Sequence, residues 1–529
     1  MIEFDPVLVH EWLSRSAART PDKTALIAEG RRIAYREIDE KCERCARALI
    51  ELGVRRGDRV IVLLDNSIET VIAIYGILKA GGVFVVLEGS MKAGKLAYIL
   101  SDAGGKVLVT HTDKFEVVKE CKKTFSTLEY KTLWVDGAKG NSFGADEYEW
   151  DALLDKQRAV GPECRPRIID VDLAALIYTS GSTGEPKGVM STHHNMVSAA
   201  RSIIQYIGNE PDDVILDVLP LSFDYGLYQV IMAFMFGGTV VLERSFTFMT
   251  SVLRRAATEG VTGLPVVPTA VAMLLKTKDF SRFDLSKLRY LTNTGAALPV
   301  GHIMKLRELL PHVKILSMFG LTECKRVCYL PFEEIDHRPA SVGKAMPNCE
   351  TRIVDNEGRD VAPNKNGELV VRGSNVMQGY WNAPDATSRS YRAGGYPADR
   401  LVYSGDIFRS DIDGYLYFVG RRDEMIKSRG ERVSALEVES VLCSMQGVLE
   451  AAVVGVPDEI LGQAVKAFVA AVPGARVTAA EVLRFCRRNL ETFMIPKQVE
   501  VVRRLPRTPH GKVDKKLLVS VLATGGNNT

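Results

Sequence analysis

The segment from Ala174 to Val189 constrains the fold more than any other part of the chain. It begins with the apolar run Ala-Ala-Leu-Ile, which predicts a buried strand, and continues into a loop of hydroxyls and glycines, Thr179-Ser-Gly-Ser-Thr-Gly184. The glycines leave backbone N–H groups accessible, the hydroxyls add donors, and Lys187 adds a positive charge. A flexible Gly/Ser turn has the same composition, but the preceding strand and Pro186-Lys187-Gly188 favour a phosphate-binding loop.

Strands and helices alternate on both sides of this segment. Before it, apolar strands at 59–64 and 83–87 flank a helix at 68–80. After it, the same alternation returns and includes a helix predicted at Tyr228–Phe236. The polar, Gly-containing stretch from 137 to 166 is predicted to be a surface excursion. This alternation predicts α/β layers with sheets rich in parallel strands.

The hydrophobic pattern of the sequence changes towards the carboxyl end. Residues 350–371 alternate in a β-like manner, and Asp413-Gly414 is a hairpin signal, so we expect a small barrel-like β part. Beyond Arg421 a new unit of domain size begins. We therefore predict an α/β protein with a large N-terminal domain, residues 1–420, and a small α+β C-terminal domain, residues 421–529.

Composition excludes several classes of protein. The net charge of +3 implies no nucleic-acid partner, and no uncharged apolar run approaches the ~18 residues of a membrane span. The first residues lack the pattern of a secretory signal, and the nine cysteines are an odd, scattered set, which favours reduced thiols and a cytoplasmic location. Cys42 and Cys45 form a C-x-x-C, but they share one helical face with Ile38 and Leu49 and are predicted to be core residues.

Three predicted strand ends carry small or polar residues, namely Thr179–Gly184, Asn293–Ala297 and Met318–Glu323. Ligands of parallel α/β sheets bind outside the carboxyl ends of strands, so these loops are expected to converge on one nucleotide. Phe319 is either a stacking plate for a base or a core residue. Thr322 offers a hydroxyl, and the carboxylate of Glu323 suits a hard cation.

The loop Tyr178-Thr-Ser-Gly-Ser-Thr-Gly-Glu-Pro-Lys-Gly188 matches neither the Walker A nor the Rossmann glycine pattern. It resembles the phosphate loop of the AMP-forming adenylate ligases, a superfamily of acyl-CoA synthetases, adenylation domains of non-ribosomal peptide synthetases, and luciferases. The resemblance implies ATP and Mg²⁺ as cofactors. It assigns phosphate contacts to the loop residues Thr179, Ser180, Gly181, Ser182, Thr183, Gly184 and Lys187.

Further segments resemble the same superfamily in the same order. Phe319 and Gly320 match the adenine-stacking segment, where tyrosine is more common than phenylalanine, and Thr322 and Glu323 match its catalytic and Mg²⁺-binding residues. Asp406 and Arg421 match the ribose-binding pair. The adenine-contacting segment corresponds to Gly295, Ala296 and Ala297, which lack the acidic residue that many members have there.

The resemblance extends through the predicted C-terminal domain. Asp423 matches the hinge about which that mobile domain turns, and Lys427 and Gly430 match the loop that lines the thiol tunnel. Lys512, in Leu505-Pro-Arg-Thr-Pro-His-Gly-Lys512, matches the lysine that contacts the carboxylate and the α-phosphate during adenylation. A thiol acceptor is therefore implied, either CoA or the phosphopantetheine of a carrier protein.

The segment Leu219–Tyr228 should line the acid pocket, and two alignments of it compete. Aligning Tyr225 and Gly226 with the acyl- and aryl-CoA ligases makes Phe223 an aromatic gate. Aligning Asp224 with peptide-synthetase adenylation domains makes it the partner of an amino acid's ammonium group; alternatively, Asp224 is an exposed helix N-cap before Tyr228. The other predicted walls are apolar: Val266, Val267, Met318, Val327 and Cys328.

These features predict an AMP-forming acyl-CoA ligase that acts on a small carboxylic acid. A stand-alone enzyme that adenylates an amino acid and loads a carrier protein is the alternative, and luciferase-like oxidation also remains open. A non-catalytic nucleotide-binding relative is a third class, but it would be expected to have lost the phosphate loop or the Lys512 loop, and both are intact.

Overall fold

A computed structural model describes most of the chain. The described residues are 5–124, 129–137, 143–157, 166–179, 185–397, 399–422, 425–428, 431–458, 462–490, 492, 494–508, 512–515 and 517–519. Among them, no helix combines the length and the apolar character needed to cross a membrane.

The helices of the described residues are α1 Val9–Arg19, α2 Tyr35–Glu51, α3 Ile68–Lys79, α4 Ala93–Ala103, α5 Phe115–Thr124, α6 Trp150–Asp155, α7 His193–Ile207, α8 Asp224–Phe236, α9 Met249–Glu259, α10 Pro268–Leu275, α11 Val300–Leu309, α12 Pro384–Ser390, α13 Ala435–Ser444 and α14 Ala479–Asn489.

The strands are β1 Thr24–Ala28, β2 Arg31–Ala34, β3 Arg59–Leu63, β4 Val83–Leu87, β5 Gly105–Thr110, β6 Lys131–Trp134, β7 Glu147–Glu149, β8 Leu173–Thr179, β9 Lys187–Thr192, β10 Val214–Asp217, β11 Thr239–Leu242, β12 Gly263–Val266, β13 Tyr290–Asn293, β14 Lys314–Phe319, β15 Cys328–Tyr329, β16 Lys344–Ala345, β17 Cys349–Val354, β18 Gly367–Gly373, β19 Tyr391–Ala393, β20 Arg400–Ser410, β21 Leu416–Arg421, β22 Ile426–Ser428, β23 Glu431–Val433, β24 Val448–Asp458, β25 Gly462–Ala471 and β26 Gln498–Val502.

Two sheets rich in parallel strands form the body of the protein. One has the order β7-β6-β5-β3-β4-β8-β9, in which β9 pairs antiparallel with β8 and the other pairs are parallel. The other has the order β16-β15-β14-β13-β12-β10-β11-β1-β2, with parallel pairs from β14 to β1. The continuous apolar runs of β3 and β4 are buried, as parallel strands covered on both faces require.

Helices α1, α2, α3 and α8 contribute to the core that these two sheets share. Helix α3 is buried along its whole length, and it approaches α2 so closely that a Cβ at Gly76 would lie 2.5 Å from Cys45 Sγ. Cys42 and Cys45 are fully buried in this contact, so the prediction that they are core residues is confirmed. Burial raises the pKa of both thiols, which keeps them protonated.

Two smaller sheets follow along the chain. Strands β17, β18, β20, β19 and β21 form an antiparallel sheet with its own apolar cluster, as the alternation from residue 350 predicted. Beyond Arg421, strands β22–β26 and helices α13 and α14 form a smaller unit with a separate core. The predicted fold class is confirmed, while the division at residues 420 and 421 stays a prediction.

Two local predictions are wrong. Helix α8 begins at Asp224 and not at Tyr228; because the helix is apolar on nearly every side, hydrophobic periodicity gave no signal for its first turn. Within the predicted surface excursion, residues 147–155 form β7 and α6, and α6 buries Trp150, Leu153 and Leu154. A helix of six residues is too short to give a clear helical period in the sequence.

Candidate active site

The predicted phosphate loop connects two paired strands. Thr179 ends β8 and lies directly opposite Lys187, the first residue of β9, so the two ends of the predicted loop lie side by side. Ser180, Gly181, Ser182, Thr183 and Gly184 lie outside the described residues. The Lys187 ammonium lies 5.6 Å from the centre of the Tyr380 ring, so its charge is directed towards the segment that contains Tyr380.

Tyr380 connects the phosphate loop with Glu323. Its hydroxyl donates to Glu323 Oε1 over 2.6 Å, and the backbone N–H of the neighbouring Trp381 donates to Gly188 O over 2.8 Å. Burial and the negative charge of Glu323 raise the pKa of Tyr380, which therefore stays a hydrogen-bond donor. Sequence reasoning missed Tyr380; the only signal was the Gly379-Tyr-Trp triplet.

Phe319 and Gly320 begin the turn that carries Glu323. The half-buried Phe319 ring packs edge-on against Phe408, with ring centres 4.8 Å apart, and stacks on Phe418 at 5.8 Å. The core contact that sequence analysis considered for Phe319 therefore exists, and its stacking role stays a prediction. Gly320 has no room for a side chain, because a Cβ there would lie 1.9 Å from the carbonyl oxygen of Lys325.

Asp406 and Arg421 face each other on neighbouring strands, β20 and β21. Arg421 Nε donates to Asp406 Oδ1 over 2.9 Å; the aspartate side chain is 4% exposed and the arginine side chain 45%. Asp406 and Arg421 thus form a charge-assisted hydrogen bond between two neighbouring strands of the antiparallel sheet. Their pairing was expected, and their role towards ribose stays a prediction.

The terminal loop with Lys512 contacts the start of helix α10. Arg507 forms a β-bridge with Val513, the neighbour of Lys512, and its Nη1 donates to Thr269 Oγ1 over 2.7 Å. Thr269 lies in the first turn of α10, two residues after the predicted wall Val267. The terminal loop is therefore held against the start of α10, and the role of Lys512 stays a prediction. Asp423 and Gly430 lie outside the described residues, and the Lys427 side chain is not described.

The adenine-contacting segment adjoins the predicted acid pocket. Gly295 adopts a positive φ of 83°, and a Cβ there would lie 3.4 Å from Phe223 and 3.8 Å from Val267. Asn293 Nδ2 donates to Ala296 O over 3.1 Å and holds the turn that ends at Ala297. The structure therefore brings together the two segments that the sequence assigned to the nucleotide and to the acid.

Asp224 is not an exposed N-cap. It is the first residue of α8, its side chain is 13% exposed, and the N-cap position is occupied by Phe223, which makes no side-chain cap. Asp224 Oδ2 lies 3.8 Å from the ammonium of Lys325, whose side chain is 3% exposed. Burial lowers the pKa of Lys325, and the nearby Asp224 opposes that effect.

Tyr225 and Met318 lie near a second buried cation, Arg326. The Arg326 guanidinium carbon is 4.9 Å from the centre of the Tyr225 ring, and the Tyr225 hydroxyl is 2.7 Å from Thr292 O. Tyr206 donates to Met318 Sδ over 2.9 Å and also interacts with Arg326. Sequence reasoning missed Lys325 and Arg326; their only signal is a pair of basic residues inside an apolar stretch.

The remaining predicted pocket residues divide into two groups. Gly226 packs against backbone, since a Cβ there would lie 2.6 Å from Pro220 O. Val267 and Met318 belong to the large core cluster, together with Tyr225. Val327 and Cys328 are buried in the cluster of the antiparallel sheet instead, so the structure does not group them with the other predicted walls.

The chain is similar in sequence to known ligases and synthetases. The chain is 30% identical to the long-chain-fatty-acid–CoA ligase of Salmonella typhimurium, over 96% of this chain and 93% of that protein. It is 27% identical to tyrocidine synthase 1 of Brevibacillus parabrevis, where 96% of this chain matches 44% of that longer protein.

Solved structures share the whole fold. The anthranilate CoA ligase AuaEII in complex with anthranoyl-AMP superposes with a TM-score of 0.90 at 27% identity, over 99% of both chains. The o-succinylbenzoate CoA synthetase MenE of Bacillus subtilis, in complex with ATP and a magnesium ion, gives a TM-score of 0.80 at 30% identity, over 95% of this chain and 98% of that one.

Two family models match the chain. The model of the AMP-binding enzymes matches residues 13–381, and that of the AMP-binding enzyme C-terminal domain matches residues 437–512. The protein therefore belongs to the AMP-binding enzymes, the family of AMP-forming acid–thiol ligases.

Proposed function

We propose that the protein is an acyl-CoA ligase that couples a carboxylic acid to CoA at the expense of ATP. In the first half-reaction the carboxylate attacks the α-phosphorus of ATP, forming acyl-AMP and releasing pyrophosphate. In the second, the CoA thiol attacks the acyl carbonyl and AMP leaves. The cysteines of the described residues are free thiols, which supports a cytoplasmic location.

The observation that carries the choice of substrate is the pairing of Asp224 with Lys325. An enzyme that adenylates amino acids needs a carboxylate free to receive the ammonium group of its substrate. Here an ammonium of the protein already lies 3.8 Å from Asp224 Oδ2, in a buried position. The charge of Asp224 is therefore balanced within the protein, which supports an acid without an amino group.

The nucleotide side supports the adenylation step. Asp406 would accept hydrogen bonds from the ribose hydroxyls. Lys187, at the end of the predicted phosphate loop, would neutralise phosphate charge. The Glu323 carboxylate suits Mg²⁺, because Tyr380 orients its Oε1 and carboxylate oxygen is the ligand that this ion prefers. Magnesium would supply charge stabilisation to the phosphates.

Lys512 would act between the two substrates. The attack brings an anionic carboxylate against an anionic phosphate, and an ammonium between them stabilises the charge that develops on the phosphoryl oxygens. The contact of Arg507 with Thr269 supports this position of the terminal loop. Rotation of the C-terminal part about Asp423 would then bring Lys427 and Gly430 to the thiol.

The test is ATP–pyrophosphate exchange with the purified protein across fatty, aryl and amino acids, followed by CoA addition and detection of the thioester. We expect exchange with acids that have no amino group, and thioester formation with CoA. Exchange with amino acids alone, abolished by Asp224→Ala, would instead establish the aminoacyl alternative. Replacing CoA by a carrier protein with its phosphopantetheine, and again detecting the thioester, distinguishes the two thiol acceptors.

A further inference from the structure

Two buried cations lie on the acid side of the site, and the adenylation chemistry uses neither. Lys325 and Arg326 are each 5% exposed, although both follow Glu323 in a turn between β14 and β15. Burying a charged side chain is unfavourable unless it is paired, so each cation needs an explanation in terms of its partners.

Three buried donors in this region have no hydrogen-bond partner among the described residues: Lys325 Nζ, Arg326 Nε and Tyr228 Oη. They belong to one cluster, because the Lys325 ammonium lies 5.2 Å from the centre of the Tyr228 ring and the charges of Asp224 and Arg326 both act on the Tyr228 hydroxyl. An ammonium and a guanidinium can only donate, so the partner that is missing is an acceptor.

The two cations differ in their ion pairing. Asp224 balances Lys325 at 3.8 Å, but no carboxylate of the described residues forms an ion pair with Arg326. Complete burial raises the pKa of Asp217, which favours its neutral form. The negative charge of Glu323 also acts on Lys325, and Glu323 Oε1 is bonded to Tyr380. Arg326 is therefore the buried cation of this cluster that has no ion pair among the described residues.

Arg326 packs against residues that were predicted to line the acid pocket. Its guanidinium is packed over Tyr225, a predicted pocket wall, and it interacts with Tyr206, whose hydroxyl is bonded to another predicted wall, Met318. A guanidinium presents a planar set of donors that matches a carboxylate, and such pairs are stronger than hydrogen bonds between neutral groups.

We propose that Arg326, together with Lys325 and Tyr228, binds a second carboxylate at the far end of the acid, so that the substrate class is dicarboxylic acids. The inference rests on the proposed function and narrows it. One carboxylate of the substrate is activated beside Lys512, and the other provides the hydrogen-bond acceptor that the buried donors lack.

The experiment compares α,ω-dicarboxylic acids of increasing length with their monomethyl esters, which keep one carboxylate and the chain. ATP–pyrophosphate exchange gives kcat/KM for both members of each pair. We expect the wild-type protein to prefer the diacid of the best-fitting length at least about 10-fold over its ester. Arg326→Leu should lower kcat/KM for that diacid about 10- to 100-fold and leave the ester unchanged, so that the preference disappears.

Arg359→Leu is the matched control, because Arg359 is 73% exposed and pairs only with neighbouring surface carboxylates in the described residues. It should leave the diacid preference intact. If Arg326→Leu fails to fold, as a thermal melt would show, Arg326→Lys replaces it; that variant keeps the charge without the planar donors and should retain part of the preference.

A wild-type protein that uses the esters as well as the diacids, with a ratio that Arg326→Leu leaves unchanged, would overturn the subsite while leaving the ligase function standing. Absence of exchange with every acid tested, esters and monocarboxylic acids included, would refute the proposed function itself. Exchange with amino acids alone would contradict both proposals.

Discussion

Replacing Asp406 by asparagine tests the nucleotide side of the site quantitatively. The side chain is buried and already accepts from Arg421 Nε at 2.9 Å, so asparagine fits the same space but loses the negative charge. A hydrogen bond to a charged group contributes about 1.5–3 kcal/mol and a neutral one about 0.5–1.5 kcal/mol, a difference of about 1–1.5 kcal/mol for each ribose hydroxyl. For two hydroxyls, kcat/KM for ATP should fall about 30- to 150-fold.

The assay is pyrophosphate exchange with ATP and with 2′-deoxy-ATP, for the wild type and for Asp406→Asn. Removing one hydroxyl should matter less once the acceptor is neutral. The wild-type discrimination against 2′-deoxy-ATP should therefore exceed that of the variant by about 5- to 10-fold, the equivalent of the difference between one charge-assisted and one neutral hydrogen bond. An equal discrimination in both proteins would refute the assignment of Asp406 to the ribose.

Asp360→Asn is the control for the loss of an arginine–aspartate pair alone. Arg352 Nε donates to Asp360 Oδ1 over 2.8 Å on the same antiparallel sheet, but Asp360 is 64% exposed. An exposed pair contributes at most about 1 kcal/mol to stability, so this variant should melt slightly earlier and keep its kcat/KM for both nucleotides.

Three further changes test other parts of the site. Lys512→Ala should abolish acyl-AMP formation while thioester formation from supplied acyl-AMP largely persists; equal loss of both half-reactions would contradict its role. Tyr380→Phe removes the 2.6 Å hydrogen bond to Glu323 but keeps the ring beneath Lys187, so a magnesium titration of exchange should show an affinity about 10- to 100-fold weaker, and an unchanged titration would count against Glu323 as the metal ligand. Gly320→Ala should lower the free energy of unfolding by about 1–3 kcal/mol, because its Cβ would lie 1.9 Å from a backbone oxygen, whereas Gly301→Ala in α11 meets nothing within 4 Å and should not; thermal melts that coincide would contradict the close contact.

The fold was predictable wherever burial is complete on both faces of a strand. Strands β3 and β4 are short continuous apolar runs between turn signals, and that pattern has few structural solutions. The start of α8 was not predictable by the same means, because its residues are apolar all around and Phe223 provides no cap. Helix α6 was missed because its buried residues are few and its neighbours are acidic.

The site was predictable in its motifs but not in its pairings. Asp406 and Arg421 were expected to act together, since both lie in recognisable segments. The partner of Asp224 could not be inferred, because Lys325 is distant in sequence and reaches α8 only through the packing of the sheet that carries β14. Tyr380 was missed for the same reason: nothing local in the sequence shows which carboxylate its hydroxyl will meet.

The turn from Gly320 to Lys325 explains how one segment can serve both substrates. The carbonyl of Lys325 folds back against Gly320, which tolerates the approach because it has no side chain. Lys325 itself has a φ of 60°, a left-handed conformation that costs a residue with a Cβ about 1–2 kcal/mol. In this conformation Glu323 reaches Tyr380 while Lys325 reaches Asp224, so the carboxylate faces the side proposed for the nucleotide and the cation faces the side proposed for the acid. The strained turn thus couples the geometry of the proposed metal ligand to that of the acid pocket, and a substitution that relaxes Lys325 should disturb both.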